Sequence, residues 1–531
     1  MPTVTINGQT IEVEKGTTII QVAEKLGTFI PRYCYHPGLS IAGNCRMCLV
    51  EVEKFPKLQI ACHVQCSDGM VVHTESERVK KTREHVLEFL LVNHPLDCPV
   101  CDQAGECGLQ DYYMEHGRYD SRLDEQKVKK SKKAEPIGQT VMLDTERCIL
   151  CSRCVRFSDE ITKTSEFGIF NRGDHSEIGL YPGKELNNPY SGNVVDICPV
   201  GALTDRDFRF KCRVWYLKKT NSICTGCSRG CNITMETNTD RPHHGHGERV
   251  MRLKPRYQPA INKWWMCDHG RYNYKWIDHG RMTEPVKGSS EHRQTATWQE
   301  LMRDVSNQIR QSCTDSPESV AVLLSPQQSN ESLYLAKKLF VEELKLQHIY
   351  LFSPNADGDQ DDLLIRSDKH PNRQGAAILG FQEDGENIEN LIRRIREHKI
   401  KCLYVFGQDL VSRLPHAPIT EILKQIPSII FHGSNSNLTS EMAHFVLPSA
   451  TYAESFGSFT NFEGKVQFFS QALPALGEAR SDLEILIKLA NQLGITWPAW
   501  DAGDVARDMQ AEYQAFKNVI EAANDKEVFS S

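Results

Sequence analysis

Nineteen cysteines occur in this chain of 531 residues, and fifteen of them fall into four groups between Cys34 and Cys267. The groups read Cys34-x10-Cys45-x2-Cys48-x13-Cys62, Cys98-x2-Cys101-x5-Cys107, Cys148-x2-Cys151-x2-Cys154 with Cys198 beyond 43 intervening residues, and Cys224-x2-Cys227-x3-Cys231-x35-Cys267. A chain whose thiols are held reduced keeps no disulfide framework, so cysteines clustered in C-x2-C cores read as metal ligands. Cys66, Cys212, Cys313 and Cys402 stand apart and fit small buried hydrophobes.

At about 150 residues per domain the length predicts three or four domains. The formal net charge of −7 gives no reason to expect a nucleic-acid partner. The one basic run, Lys127 to Lys133, reads as a solvated linker. No stretch reaches the roughly 18 apolar residues of a membrane span. Met1 to Ile6 lacks the basic and apolar regions of a signal peptide. The expectation is a cytoplasmic protein that meets a membrane only through partners.

The first group sits in a strand–strand–helix pattern. Val4 to Val13 reads as a hairpin turning at Asn7-Gly8, and Ile19, Val22, Ala23 and Leu26 give a helix over 18–26 with Gly27 as its stop. Four thiolates, Cys34, Cys45, Cys48 and Cys62, suit a [2Fe–2S] cluster. Gly38 and Gly43 would let backbone N–H groups approach the sulfurs. A four-cysteine zinc site is the rival, though zinc sites usually pair two C-x2-C knuckles and only one is present. The order resembles the β-grasp ferredoxin fold.

A helix pattern over 79–91 runs into His94-x3-Cys98-x2-Cys101-x5-Cys107. Three cysteines are one short of a [4Fe–4S] set. On spacing alone His94 is equally a fourth ligand or a histidine capping the helix. The segment His94-Pro95-Leu96-Asp97-Cys98-Pro99-Val100-Cys101-Asp102-Gln103-Ala104-Gly105-Glu106-Cys107 resembles the motif of one histidine and three cysteines in the large iron–sulfur subunit of respiratory complex I. That resemblance implies that His94 is a ligand.

In the third group Cys198-Pro199 has no second C-x2-C-x2-C run to serve, so Cys198 is expected to complete a [4Fe–4S] set with Cys148, Cys151 and Cys154. The stretch between them reads as long and loop-rich. The fourth group, Cys224, Cys227, Cys231 and Cys267, ends in Cys267-Asp268-His269-Gly270-Arg271-Tyr272, which resembles the [4Fe–4S] domain opening molybdopterin oxidoreductases. In those enzymes a Lys commonly stands where His269 does here and links cluster to pterin. His243, His244 and His246 read as a solvated loop.

From residue 280 the pattern becomes α/β. Apolar runs at 320–324, 349–352, 402–406 and 429–432 alternate with helical stretches at 333–344 and 388–395, which predicts a parallel sheet. No G-x-G-x-x-G or phosphate-binding loop appears. Residues 441–448 and 457–467 resemble a molybdopterin oxidoreductase signature. Neither Cys313 nor Cys402 is followed by the His that accompanies a metal-ligating Cys in formate dehydrogenases, so a cofactor-free scaffold without molybdopterin is expected.

The predicted fold is therefore multidomain, α+β and α/β. It comprises a β-grasp [2Fe–2S] ferredoxin domain (1–78), a histidine-plus-three-cysteine [4Fe–4S] domain (79–120), a ferredoxin-like [4Fe–4S] domain (140–210), a [4Fe–4S] domain of the molybdopterin-enzyme type (217–275) and a molybdopterin-oxidoreductase-like domain (280–531). In order, the four groups resemble the large cluster-bearing subunit of bacterial NADH:quinone oxidoreductase. The resemblance implies an electron-relay subunit with one [2Fe–2S] and three [4Fe–4S] clusters and no complete active site of its own. The first three clusters would lie on the path from flavin to quinone and the fourth off it. The implied partners are the NADH/FMN-binding subunit, the small [2Fe–2S] subunit and the subunits that pass electrons on to quinone. The implied location is peripheral, on the cytoplasmic side of the plasma membrane. A formate dehydrogenase catalytic subunit, an iron hydrogenase and a hydrogenase-associated diaphorase subunit fit less well, on length, metal ligands and cysteine distribution.

Overall fold

The computed structural model describes residues 1–288, 292–353, 357–382, 385–414, 418–498 and 500–520. The described residues divide into two units, Met1–Leu217 and 218–520.

Asn7 and Gly8, at φ 48° and 84°, make the tight turn between β1 (Thr3–Ile6) and β2 (Gln9–Glu12). That turn's twist matches the strands it joins. With β3 (Leu49–Val52), β4 (Gln59–Ile60) and β5 (Met70–His73) they form a sheet ordered β2-β1-β5-β3-β4, in which β1 and β5 are parallel and the other pairs antiparallel. Helix α1 (Ile19–Lys25) buries Ile19, Ile20, Val22 and Ala23 against Val4, Ile6, Val50 and Val72. Each fully buried Val or Ile contributes about 1.5–3 kcal/mol. Gly27 at φ 71° ends the helix, as its position predicts. Cys48 and Cys62 belong to the same apolar cluster, so this core fixes two members of the first set.

Helix α2 (Glu77–Leu91), capped by Ser76, precedes the second set, and α3 (Gly108–His116) follows it. The third set is framed by the antiparallel strands β6 (Glu135–Pro136) and β7 (Val141–Leu143), by α4 (Arg153–Glu160), the hairpin β8 (Phe167–Phe170) and β9 (Glu177–Leu180), α5 (Asn193–Ile197) and β10 (Leu203–Asp205). The stretch expected as loop thus carries a hairpin and a helix. Pairing of β10 with β7 returns the chain so that Cys198 faces Cys148 to Cys154.

The basic run differs from the free linker expected of it. Lys127 Nζ donates to the carbonyls of Leu91 and Val92, Lys130 Nζ to those of Asp174 and Ser176, and Lys133 pairs with Asp97 and Glu146. These lysines tie the segment down between structured elements.

In the second unit β11 (Lys218–Ile223), β12 (Asn232–Thr237) and β13 (Val250–Pro255) form an antiparallel sheet carrying the fourth set at its edges. Helix α6 (Asp268–Tyr272) follows Cys267. A seven-stranded sheet comes next, built from β14 (Val286–Lys287), β15 (Gln294–Thr295), β16 (Val320–Leu324), β17 (His348–Leu351), β18 (Cys402–Phe406), β19 (Ser428–Gly433) and β20 (Phe445–Pro448). Its order is β15-β14-β20-β19-β18-β16-β17, and the last five are mutually parallel. Val320, Val322 and Leu324 pack with α7 (Trp298–Asp315) on one face, while Ala321 and Leu323 pack with Leu391 and Ile395 on the other. Helices cover both faces, which is why these strands read as unbroken apolar runs. The predicted helix over 333–344 is α-helical only to Ala336 and continues as a π-helix over Lys337–Glu343. A hairpin, β21 (Gly457–Thr460) and β22 (Val466–Phe469), lies in the stretch that resembles the signature.

Candidate metal centres

In the first set, Cys34 is within hydrogen-bonding reach of the thiols of Cys45 and Cys62, and Cys48 of that of Cys62. Those partners pull Cys34 and Cys48 down and push Cys45 and Cys62 up. The backbone N–H groups of Asn44 and Cys45 also point at the Cys34 sulfur. Gly43 and Arg46 both adopt positive φ, 62° and 60°, in the loop between Cys34 and Cys48. A Cβ on Gly43 would meet nothing within 4 Å. Its positive φ is a conformation that favours glycine.

In the second set Cys101 and Cys107 are buried, Cys98 is exposed, and the thiols of all three lie in one another's electrostatic field. Cys107 is the N-cap residue of α3, and the N–H groups of Leu109 and Gln110 act on its sulfur; burial nevertheless pushes it up to about 11. Burial, then Lys127 and Arg147, lower His94 to about 4, so at neutral pH its imidazole is in the uncharged form that binds metal. Its charged neighbours are Lys127, Arg147, Asp97 and Lys133, and Arg147 also acts on Cys101. Two of the carbonyls that a capping histidine would serve, those of Leu91 and Val92, are taken by Lys127.

The third set surrounds a cavity lined by all four of its cysteines, with Leu143 and Arg153 among the walls. Leu150 and Ser152, at φ 53° and 59°, wind the backbone tightly between Cys148 and Cys154. Leu150 N–H donates to Cys148 Sγ at 3.4 Å, and the N–H groups of Val200, Ala202 and Leu203 point at Cys198. Burial pushes all four thiols up, Cys198 to about 12.

In the fourth set Cys224, Cys227, Cys231 and Cys267 lie within one another's field, and burial raises Cys224, Cys231 and Cys267, the last to about 11. Cys224 N–H donates to the Cys231 carbonyl at 2.8 Å, and Gly270 N–H to Cys267 Sγ at 3.3 Å. A Cβ on Gly270 would stand 2.7 Å from Cys224 Sγ, so only glycine fits there. His269 Nδ1 lies beside Gly226 of the same set. The rings of His243 and His244 lie 4.4 Å apart, tilted at 34°. Among the described residues no three His, Cys, Asp or Glu side chains close on a point suited to one metal ion.

The first three sets share one apolar cluster containing Cys34, Cys107, Cys151, Tyr33, Tyr112 and Val200. Cys34 acts electrostatically on Cys151, which brings the first and third sets together. Gly201, three residues past Cys198, is so close to the second set that a Cβ would meet Cys101 Sγ at 2.3 Å. Tyr33 lies in the field of both Cys107 and Cys45. Three arginines fill the gaps. Arg147 pairs with Asp97 and Asp144 between the second and third sets, and Arg153 and Arg156 bond the loops of the first and third. The same two cations, after burial itself, push His36 down to about 3. Sequence reasoning passes over these arginines. Their only sequence signal is the interleaving in Cys151-Ser152-Arg153-Cys154-Val155-Arg156.

Five family models match the chain: the 2Fe-2S iron-sulfur cluster binding domain (1–77), the NADH-ubiquinone oxidoreductase-G iron-sulfur binding region (83–122), the NADH-quinone oxidoreductase subunit 3 ferredoxin-like domain (138–204), the molybdopterin oxidoreductase Fe4S4 domain (217–279) and molybdopterin oxidoreductase (368–492). The G subunit of the Rickettsia conorii NADH-quinone oxidoreductase is 30% identical over 98% of this chain and 92% of its own length. The chain belongs to the family of NADH-quinone oxidoreductase G subunits. The mitochondrial 78 kDa subunit of NADH-ubiquinone oxidoreductase from Candida albicans is 30% identical over 93% of this chain and 83% of that one. The 75 kDa subunit from Reclinomonas americana is 39% identical over 69% of this chain and 52% of that one. Both a [2Fe–2S] domain and [4Fe–4S] domains are thus present, as the cysteine spacings predict, and no described helix is long and apolar enough to cross a membrane.

Proposed function

We propose that this electron-relay iron–sulfur subunit of NADH-quinone oxidoreductase holds one [2Fe–2S] cluster on Cys34, Cys45, Cys48 and Cys62. Three [4Fe–4S] clusters are held on His94, Cys98, Cys101 and Cys107, on Cys148, Cys151, Cys154 and Cys198, and on Cys224, Cys227, Cys231 and Cys267. Such clusters accept and release single electrons at potentials set by their surroundings. The cavity walled by the four cysteines of the third set is the observation that carries this reading. The close fit of Gly270 against Cys224 Sγ and the N–H groups aimed at Cys198 agree with it.

The protein's own part is placement. Cys34 of the first set acts on Cys151 of the third, and Gly201 beside the third set abuts Cys101 of the second; we take first, third, second as the order of hand-over between partner subunits. Cys98 is the exposed ligand cysteine, and Leu96, Val100, Phe210 and Trp215 expose apolar surface in the segments around the second set. Arg213, beside Phe210 and Trp215, holds the carbonyls of Cys101 and Pro99. We assign this face to a partner that carries electrons on towards quinone, and the first set to the side of the NADH/FMN-binding and small [2Fe–2S] subunits. The subunit is held peripherally on the cytoplasmic side through those partners. The segments 1–78, 79–120, 140–210, 217–275 and 280–531 act as its domains, of which 521–531 lie outside the described residues.

The last domain is a scaffold without molybdopterin. Cys402 is fully buried in the central strand β18, and Cys313 packs on the same core, so neither thiol is offered to a metal. Iron, sulfide and molybdenum analysis of the purified complex, with redox titration of its paramagnetic centres, tests the assignment.

A further inference from the structure

Between the first and third ligand sets lie two guanidiniums from helix α4. Arg153 donates to the carbonyls of Tyr35 (2.7 Å) and Ile197 (3.0 Å), the residues flanking Cys34 and Cys198. Arg156 donates to the carbonyl of Cys34 (2.5 Å) and to that of Cys151 (3.3 Å), so one guanidinium holds a ligand residue from each set. Its remaining bonds go to the Ser40 carbonyl and the Ser152 hydroxyl. All of these acceptors are neutral. Glu160, at the end of the helix, is occupied by the N–H and hydroxyl of Ser40. Among the described residues neither guanidinium is in an ion pair, and Arg153 Nε is buried without a partner. Arg153 also lines the cavity of the third set. Arg147, in the gap between the third and second sets, is the contrast, for Asp97 and Asp144 offset its charge at 3.0 and 3.3 Å.

An unpaired charge at such a place is costly unless something of opposite sign faces it. The thiolates on either side supply that opposite charge. At the low effective dielectric of an interior, a fixed cation acts strongly on any group that gains negative charge nearby.

We propose that Arg153 and Arg156 are positioning residues of the relay, two guanidiniums without a carboxylate partner that tie the loops of the first and third sets together and raise the reduction potentials of both. The inference rests on the cluster assignment of those two sets. Its predicted asymmetry is specific: the first and third centres share the two cations, while the second and fourth do not.

The test is an EPR-monitored redox titration of the intact complex carrying Arg153→Gln or Arg156→Gln, with Arg153→Lys and Arg156→Lys as charge-retaining controls. Expected are lower midpoint potentials for the first and third centres together, unchanged spectra and iron content, little movement of the second and fourth centres, and recovery towards wild type in the Lys variants. If Arg153→Gln does not assemble, Arg156→Gln carries the same comparison. Potentials that stay put in a fully loaded Gln variant, that move at one of the two centres only, or that fall equally in the Lys variants overturn the proposal. Wild-type complex lacking iron in these two sets would instead overturn the assignment beneath it, and metal analysis detects that independently of any potential.

Discussion

Lys127 Nζ donates to the carbonyl oxygen of Leu91 at 2.7 Å and closes the C-terminus of the helix that leads to His94. The same ammonium reaches the Val92 carbonyl at 3.0 Å. Of the two roles open to His94, helix cap and cluster ligand, the lysine fills the first at Leu91 and Val92. His94→Ala should therefore leave helix content unchanged in circular dichroism while the EPR signal of the second centre is lost or converted. His94→Cys should keep a four-iron centre with an altered potential. Lys127→Ala should cost about 2 kcal/mol of stability, the worth of its two hydrogen bonds, with the EPR signal intact. An unaltered signal in His94→Ala would return His94 to the structural residues.

Gly270 leaves no room for a side chain, since a Cβ would stand 2.7 Å from Cys224 Sγ. Gly270→Ala should displace the fourth set and remove about four irons per chain, the content of one [4Fe–4S] cluster. Iron analysis of the purified variant gives the answer, and full iron content would show that the loop has space to yield.

The fourth centre is expected to lie off the electron path. Cys227→Ala should lower the yield of complex, yet the complex that does assemble should reduce quinone at the wild-type rate per assembled unit. A collapse of turnover at normal assembly would place this centre on the path.

Glu454, fully buried, accepts from Arg249 at 2.6 Å and Arg281 at 2.8 Å, and Arg249 also pairs with Asp278 at 2.6 Å. Glu454→Ala leaves the buried Arg281 without a carboxylate and leaves Arg249 with Asp278 alone, and it should destabilise the second unit by about 3 kcal/mol, measured by thermal unfolding. Burial opposes ionisation of this carboxyl, but its bonds to Arg281 and Arg249 prevail and hold it below the ordinary carboxylate range. A carboxylate with a depressed folded-state pKa stabilises above its unfolded value of about 4.3 and loses that contribution as pH falls through the folded value. Below about pH 4 the difference in melting temperature between wild type and Glu454→Gln should therefore shrink. A difference that stays constant into acid would argue against the ion pairs as its source.

What can be read from the sequence follows the reach of each signal. Strands β16 and β18 are legible residue for residue, because a run such as Val320 to Leu324, covered on both faces, leaves no polar position to blur the pattern. The hairpin at Asn7-Gly8 is equally legible, since its turn requires two positive φ values. The cysteine sets are legible one at a time, by spacing. Their spatial order is not, because it depends on β10 pairing with β7 and on Gly201 meeting Cys101, contacts between residues far apart in sequence. The lysines at 127, 130 and 133 look like a solvated run because their partners, carbonyls of Leu91 and Asp174 among them, carry no sequence signal at all.

The proposal that the last domain holds no molybdopterin has a direct check. Molybdenum and tungsten should be below stoichiometric levels in the complex, with no pterin fluorescence on acid release. About one such metal per chain would revive a catalytic role for that domain.

The count of metal in the intact, anaerobically purified complex tests the central claim most directly. One [2Fe–2S] and three [4Fe–4S] clusters predict about 14 irons and as many acid-labile sulfides carried by this chain, assignable by subtracting the content of the partner subunits. Stoichiometric zinc in place of iron at the first or fourth set, or iron short by a whole cluster in fully assembled complex, would contradict it.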